Sequence, residues 1–171
     1  MSQTIIYDFN NQSNTSNWVV VNDDVMGGIS SSEISVDKDG NGVFEGQIST
    51  ANNGGFSSIR LKLDRVEAKE GAYFQIRLKG DNKNYQLRIK TNERDNYSYV
   101  IPFKTSDVWE TIVIPLNDMY PSFRGRKLDL DNFSDGYFEQ IAFLVGNNKN
   151  ENFKLIIDNI VLVNNQRELK K

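Results

Sequence analysis

The sequence predicts an all-β protein, a β-sandwich or jelly roll with very little helix. Three observations predict it. Short runs of alternating apolar and polar residues recur along the chain, turn residues separate them, and no stretch carries a long i, i+3, i+4 apolar pattern. The first run is Thr4–Phe9 (TIIYDF), followed by the short Trp18–Val21. Gly42–Ser49 sets Phe44 and Ile48 against Glu45 and Gln47, and Phe56–Leu63 puts Ile59, Leu61 and Leu63 on one side. Tyr73–Lys79 alternates Phe74, Ile76 and Leu78 with Tyr73, Gln75 and Arg77. Tyr85–Lys90 alternates Tyr85, Leu87 and Ile89 with Gln86, Arg88 and Lys90. Successive strand residues leave opposite faces, so this period marks strands with one buried face. Further strands are expected at Tyr97–Phe103, Trp109–Pro115, Glu139–Val145 and Phe153–Val163. Tyr85, Trp18 and Trp109 are expected in the core.

Turn chemistry punctuates these runs. Asp39-Gly40-Asn41-Gly42 is a hairpin signal, and Gly80-Asp81-Asn82-Lys83 reads as a second hairpin loop. One connection, Leu116–Gly136, is long. Such loops are functional or disordered in compact domains. This one carries Met119, Tyr120, Phe123 and Phe133 and is expected to anchor itself by packing. Residues 1–165 read as a single sandwich domain, and 166–171 as a polar tail that frays.

Composition removes several function classes. The 171 residues contain no cysteine and no histidine. Disulfides, thiolate sites, Ser-His-Asp and Cys-His arrangements and the usual zinc ligands are therefore absent. The formal charge of -3 gives no basic excess for nucleic acid. The start MSQTIIYDFN lacks signal-peptide features, and no apolar run reaches the roughly 20 residues of a membrane helix. A cytoplasmic protein without membrane insertion is expected.

The polar motifs each allow two readings. If Gly80–Lys83 closes a hairpin, Arg77 lies across from Gln86 and Gln75 from Arg88. One sheet face then carries Tyr73, Gln75, Arg77, Gln86, Arg88 and Lys90, multidentate donors suited to hydroxyl-rich or anionic ligands. The alternative, a solvated surface with cross-strand pairs, is the simpler reading of that face. The glycine pairs Gly27-Gly28 and Gly54-Gly55 match no nucleotide fingerprint and read as close-packed loops. Asp8 and Asp158 sit inside apolar strands, and a regular strand points Asp158 inward. Paired across the first and last strands, they are candidates for a structural calcium, the alternative being a bulge. No other cofactor is expected. Asp23-Asp24 makes a poor hydrolytic pair, since adjacent residues on an extended chain point apart. Tyr97 and Tyr99 are candidates for ring stacking, while Tyr73, Tyr120 and Tyr137 read as exposed.

Read in order, the motifs form a set. NDDVMGGIS (Asn22–Ser30), FEGQIS (Phe44–Ser49), NNGGFSSIR (Asn52–Arg60), LKGDNKNYQLRI (Leu78–Ile89), W-x-x-I-x-I-P (Trp109–Pro115), FRGR (Phe123–Arg126) and FKLIIDNI (Phe153–Ile160) succeed one another. This succession resembles the complex I intermediate-associated protein 30 family, from about Tyr7 to Val163. The resemblance implies a galactose-binding-like jelly roll without catalytic activity, shared with many carbohydrate-binding modules. Its mitochondrial members help to assemble respiratory complex I. Here the family's GDG-type turn reads GDNK (Gly80–Lys83), and the chain shows no mitochondrial leader, which implies a stand-alone member.

Carried over by motif, the polar positions are Asp23, Asn53, Arg60, Asp81, Arg124 and Arg126. They form either one binding rim or an internal ion-pair network, with Asp23 orienting Arg60 or Arg124. The leading expectation is a non-catalytic module that binds another protein as an assembly factor. The second is a carbohydrate-binding module using the polar sheet face. The third is a carboxylate-based hydrolase.

Overall fold

The computed structural model describes residues 2–22, 29–51, 55–134 and 136–164. Thirteen strands follow one another: β1 (Ser2–Asp8), β2 (Trp18–Asn22), β3 (Ser31–Val36), β4 (Gly42–Ile48), β5 (Ser57–Ala68), β6 (Tyr73–Lys79), β7 (Asn84–Lys90), β8 (Ser98–Lys104), β9 (Trp109–Pro115), β10 (Tyr120–Phe123), β11 (Arg126–Lys127), β12 (Gly136–Val145) and β13 (Glu151–Asn164). Two three-residue 3-10 turns, Thr15–Asn17 and Leu116–Asp118, lie between strands.

The strands form two antiparallel sheets. One has six strands, ordered β3-β4-β13-β6-β9, with β1 also on β13. The other has seven, ordered β11-β10-β8-β7-β12-β5-β2. Long β13 is shared along one edge: β4 pairs with Glu151–Ile157 and β1 with Asn159–Asn164. The register breaks at Asp158, where β13 bulges. First and last strands are thus neighbours.

Alternation explains the core. Phe44, Phe74, Ile76, Leu78, Leu87, Phe143, Leu155 and Ile157 are fully buried between the sheets. Each such side chain contributes about 1.5–3 kcal/mol on removal from water. At one end Trp18 stacks on Phe9, with centroids 5.8 Å apart, and meets Tyr7 edge-on at 5.5 Å. Trp109 departs from expectation. It is half-buried on the outer face of the six-stranded sheet, where the Arg77 guanidinium lies 5.1 Å from its ring.

The hairpin signal at Asp39–Gly42 is met. Asp37 accepts from the backbone of Asp39 and Asn41, and Gly40 takes φ +84°, closing the turn between β3 and β4. The second loop differs. Gly80–Lys83 does not close a hairpin, because it carries the chain from the six-stranded sheet to the seven-stranded one. Alternation tells which face of a strand is buried but not which sheet it joins.

Strand β3 escapes a reading by hydrophobicity because SSEISV is largely polar at the sheet edge. The long connection contains β10 and β11. It is anchored by Leu116 and Met119, both at 0% exposure, and by Phe133, whose N–H donates to the Met119 carbonyl.

Candidate functional site

The carried-over positions separate into two places. Asp81 lies in the crossing between the sheets. Its Oδ1 accepts from the Tyr85 hydroxyl at 2.9 Å, and its Oδ2 accepts from the Lys154 backbone N–H at 2.8 Å and Lys83 Nζ at 3.4 Å. Its own N–H donates to Thr105 Oγ1, which donates in turn to the Lys83 carbonyl. Gly80 is required by space: a Cβ there would lie 2.1 Å from Thr105 Cβ. Burial, then the charge and hydrogen bond of Asp81, push the Tyr85 pKa far above its usual value. Asp81 ties both sheets together and leaves the other motif residues.

Arg60 and Arg124 do come together, and Arg88 joins them. On the outer face of the seven-stranded sheet, Arg60 of β5, Ala142 of β12 and Arg88 of β7 lie side by side in register. Gln140 and Lys90 flank them one pair along. Ser98 and Ser122 pair on the adjoining strands β8 and β10. These residues, with Phe123 and Arg124 at the wall and Leu144 on the floor, line a groove of about 170 Å³.

Arg124 is placed by an unusual turn. Phe123 and Arg126 pair across a two-residue connection in which Arg124 has φ +52° and Gly125 φ +79°. Such turns favour Asn-Gly or Asp-Gly, and a bulky residue at positive φ is strained. The Arg124 guanidinium lies 5.2 Å from the Phe123 ring centroid. Arg126, one step on, is exposed and outside the groove lining.

The electrostatics are one-sided. Burial lowers the Arg60 pKa. Burial, then the charge of Arg60, lowers Arg88. Burial, then Arg60 and Arg88, lower Lys90, against a smaller opposing pull from Asp95 and Glu93. Lys90 Nζ donates to the Asp95 carbonyl at 3.0 Å. Among the described residues no carboxylate lies within ion-pair distance of Arg60, Arg88 or Arg124; the four ion pairs lie elsewhere. Asp23 and Asn53, expected on the same rim, lie outside the described residues, as do Asp24, Gly27, Gly28 and Gly54.

The single polar sheet face is corrected. Tyr73, Gln75 and Arg77 belong to the six-stranded sheet, and Gln86 and Arg88 to the seven-stranded one. Phe74, Ile76, Leu87 and Ile89 point into the core, so the two polar sets face opposite sides of the sandwich. For Asp158 the structure shows the bulge alternative. The bulge turns it outward, 3.6 Å from Arg77 Nε, and its carbonyl accepts the Phe9 N–H. Asp8 is exposed on β1 opposite Asn159. Asp158 thus has an arginine where a calcium was considered, and among the described residues no three acidic side chains group as metal ligands.

Ser98, Ser122 and Gln140 belong to the groove without any prior signal, since serine and glutamine in strands are ordinary. Only the cross-strand register brings them beside Arg88. A second cleft, of about 440 Å³, opens where the long connection meets Tyr97, Tyr99 and Tyr137. There Arg65 covers Tyr137 at 3.7 Å and Tyr97 meets Tyr99 edge-on. These rings form a cluster rather than a flat platform.

The two sheets form a jelly-roll sandwich that carries a cationic groove on one outer face. A family model for complex I intermediate-associated protein 30 matches residues 7–157, and the chain belongs to that family. No curated protein sequence matches significantly. Among solved structures, the chain is similar to the family 11 carbohydrate-binding module from Clostridium thermocellum in complex with a β-1,3-1,4-mixed-linked tetrasaccharide, with 17% identity, 95% of each chain covered and a TM-score of 0.65. It is similar also to the family 11 module of a cellulosomal cellulase from Clostridium thermocellum, with 19% identity, 96% and 95% coverage and a TM-score of 0.62. A family 29 carbohydrate-binding module matches at 16% identity, 94% and 86% coverage and a TM-score of 0.55. These likenesses establish the jelly-roll fold. No helix among the described residues is long and apolar enough to cross a membrane.

Proposed function

We propose that the chain is a non-catalytic docking module that engages another protein, in the manner of an assembly factor, through the groove on its seven-stranded sheet. One observation carries the reading: Arg60 of β5, Arg88 and Lys90 of β7, and Arg124 of the β10–β11 turn line one groove from three separate elements. Internal networks pair charges, as Asp81 does, whereas a surface built to meet a partner leaves them open. Family membership supports a protein as that partner.

The test is affinity capture from the native cell lysate, wild type beside Arg124→Ala, with melting curves of both. The reading expects a specific protein captured by the wild type and lost by a variant of unchanged Tm. It falls if capture is equal, or if the variant melts several degrees lower.

A second reading, glycan binding, draws on the carbohydrate-binding neighbours. Against it, the groove floor offers Ala142 and Leu144 rather than an aromatic plane. A glycan array at millimolar ligand separates the two. The hydrolase reading has one pair to test, Glu33 and Glu45, directly opposed across β3 and β4 beside an open depression. Absence of glycoside or ester turnover that Glu45→Gln abolishes removes it.

A further inference from the structure

We propose that the groove is a carboxylate clamp, which recognises an acidic side chain on an extended segment of the partner protein. This rests on the docking reading above and names its chemistry.

The charge arrangement points to an anion. Arg60, Arg88 and Lys90 disfavour one another's charge, and no described carboxylate neutralises the arginines. Folding gathers these cations at a cost that a bound anion offsets. The chain as a whole is at -3, so the positive potential stays local to the groove. That suits one acidic group rather than a long polyanion.

The geometry points to a carboxylate. Arg60 and Arg88 stand two strands apart, about 9.5 Å between backbones. Ala142 between them fills no space above its Cβ. Arg60 and Arg88 line the groove on either side of this alanine, and the N–H forks of guanidiniums match a flat, two-oxygen acceptor. Arg124 closes the third side, held there by a left-handed turn that ordinarily takes Asn or Gly. Ser98, Ser122 and Gln140 add neutral hydrogen-bonding groups at the border.

Size and lining favour a peptide over an acidic glycan. A volume of about 170 Å³ is below that of the usual small-molecule site of roughly 300–1,000 Å³ and suits one side chain. The floor of Ala142 and Leu144 accommodates the methylenes of a glutamate.

The experiment titrates the full chain with a capped tetra-glutamate peptide, its tetra-glutamine counterpart and tri-galacturonate, by calorimetry, beside melting curves. Wild type binds the glutamate peptide, with affinity falling several-fold between about 50 and 200 mM salt, and the glutamine peptide at least tenfold more weakly. Arg60→Gln and Arg88→Gln each weaken glutamate binding about tenfold, the scale of a charge-assisted hydrogen bond. Both variants melt no lower than wild type. Arg77→Gln, on the opposite sheet, leaves binding unchanged. Equal binding of the two peptides overturns the proposal. So does retained affinity in Arg88→Gln, tighter binding of tri-galacturonate, or a fall of several degrees in both groove variants. If Arg124→Ala loses the captured partner while wild type ignores the glutamate peptide, the docking reading stands and the carboxylate assignment falls. If capture is unaffected as well, both fall.

Discussion

Asp81 and Arg60 belong to the same motif set, yet the structure treats them oppositely. Asp81 sits where the chain passes between sheets, and donors from Tyr85, Lys154 and Lys83 saturate it. Arg60 sits on a sheet face beside two other cations, with no described carboxylate in reach. The first is satisfied polar chemistry that holds an architecture together. The second is unsatisfied chemistry that the architecture holds open. Residue type does not separate the two, but the count of satisfied partners does.

The comparison predicts opposite signs on mutation. The largest effect belongs to Asp81→Ala. It leaves the buried Tyr85 hydroxyl without its acceptor, worth about 1–3 kcal/mol, and removes the hydrogen bonds to the exposed Lys154 N–H and to Lys83, each worth about 0.5–1.5 kcal/mol. A loss of about 2–4 kcal/mol in urea unfolding is expected, and a loss below about 1 kcal/mol breaks the account of the crossing. Gly80→Ala comes next. Its Cβ meets Thr105, so overpacking of about 1–3 kcal/mol is expected in the same assay.

Arg60→Gln carries the contrary sign. Removing one of three mutually repelling cations raises Tm by roughly 1–2 °C, the shift that about 0.5 kcal/mol gives a domain of this size. Added salt narrows the gap, because it screens the same repulsion in the wild type. A drop in Tm erases the contrast with Asp81.

The last effect is absent at neutral pH and appears only in alkali. Burial, with the hydrogen bond and charge of Tyr97, pushes Tyr99 up to about 12 from its usual 10. A raised folded pKa contributes stability fully present below pH 10, where folded and unfolded forms are both neutral. That contribution is lost as pH rises from 10 through about 12, because the unfolded tyrosine ionises first. Tyr99→Phe therefore loses less stability than wild type over this window, as chemical denaturation at stepped pH measures.

Legibility in the sequence followed the range of the interaction. Strands β6, β7 and β9 were readable to within a residue because alternation is local. The turn at Asp39–Gly42 was readable because turn residues carry their own conformational preference. Strand β3 and the two short strands in the long connection were not, since pairing with neighbouring strands rather than their own hydrophobicity makes them strands. For the site, Arg60 and Arg124 were named by motif and Arg88 by alternation, but as members of different faces. The hairpin assumed at Gly80 misplaced Arg88 beside Arg77. Trp109 was read as core because large aromatics usually are, and an arginine gave it an outer berth instead.

The sequence by itself determined an all-β chain, the buried face of most strands, the absence of thiol and imidazole chemistry, and a family resemblance spanning nearly its length. Those properties depend on composition and on neighbours one or two residues away. Only the tertiary structure decided which sheet each strand joins, and hence that Arg88 stands by Arg60 rather than by Arg77. Sheet membership is a long-range choice. The alternating face of β7 says only that one side is buried, and the crossing at Gly80 and Asp81 is fixed by packing on Thr105 and a hydrogen bond to Lys154, residues far along the chain.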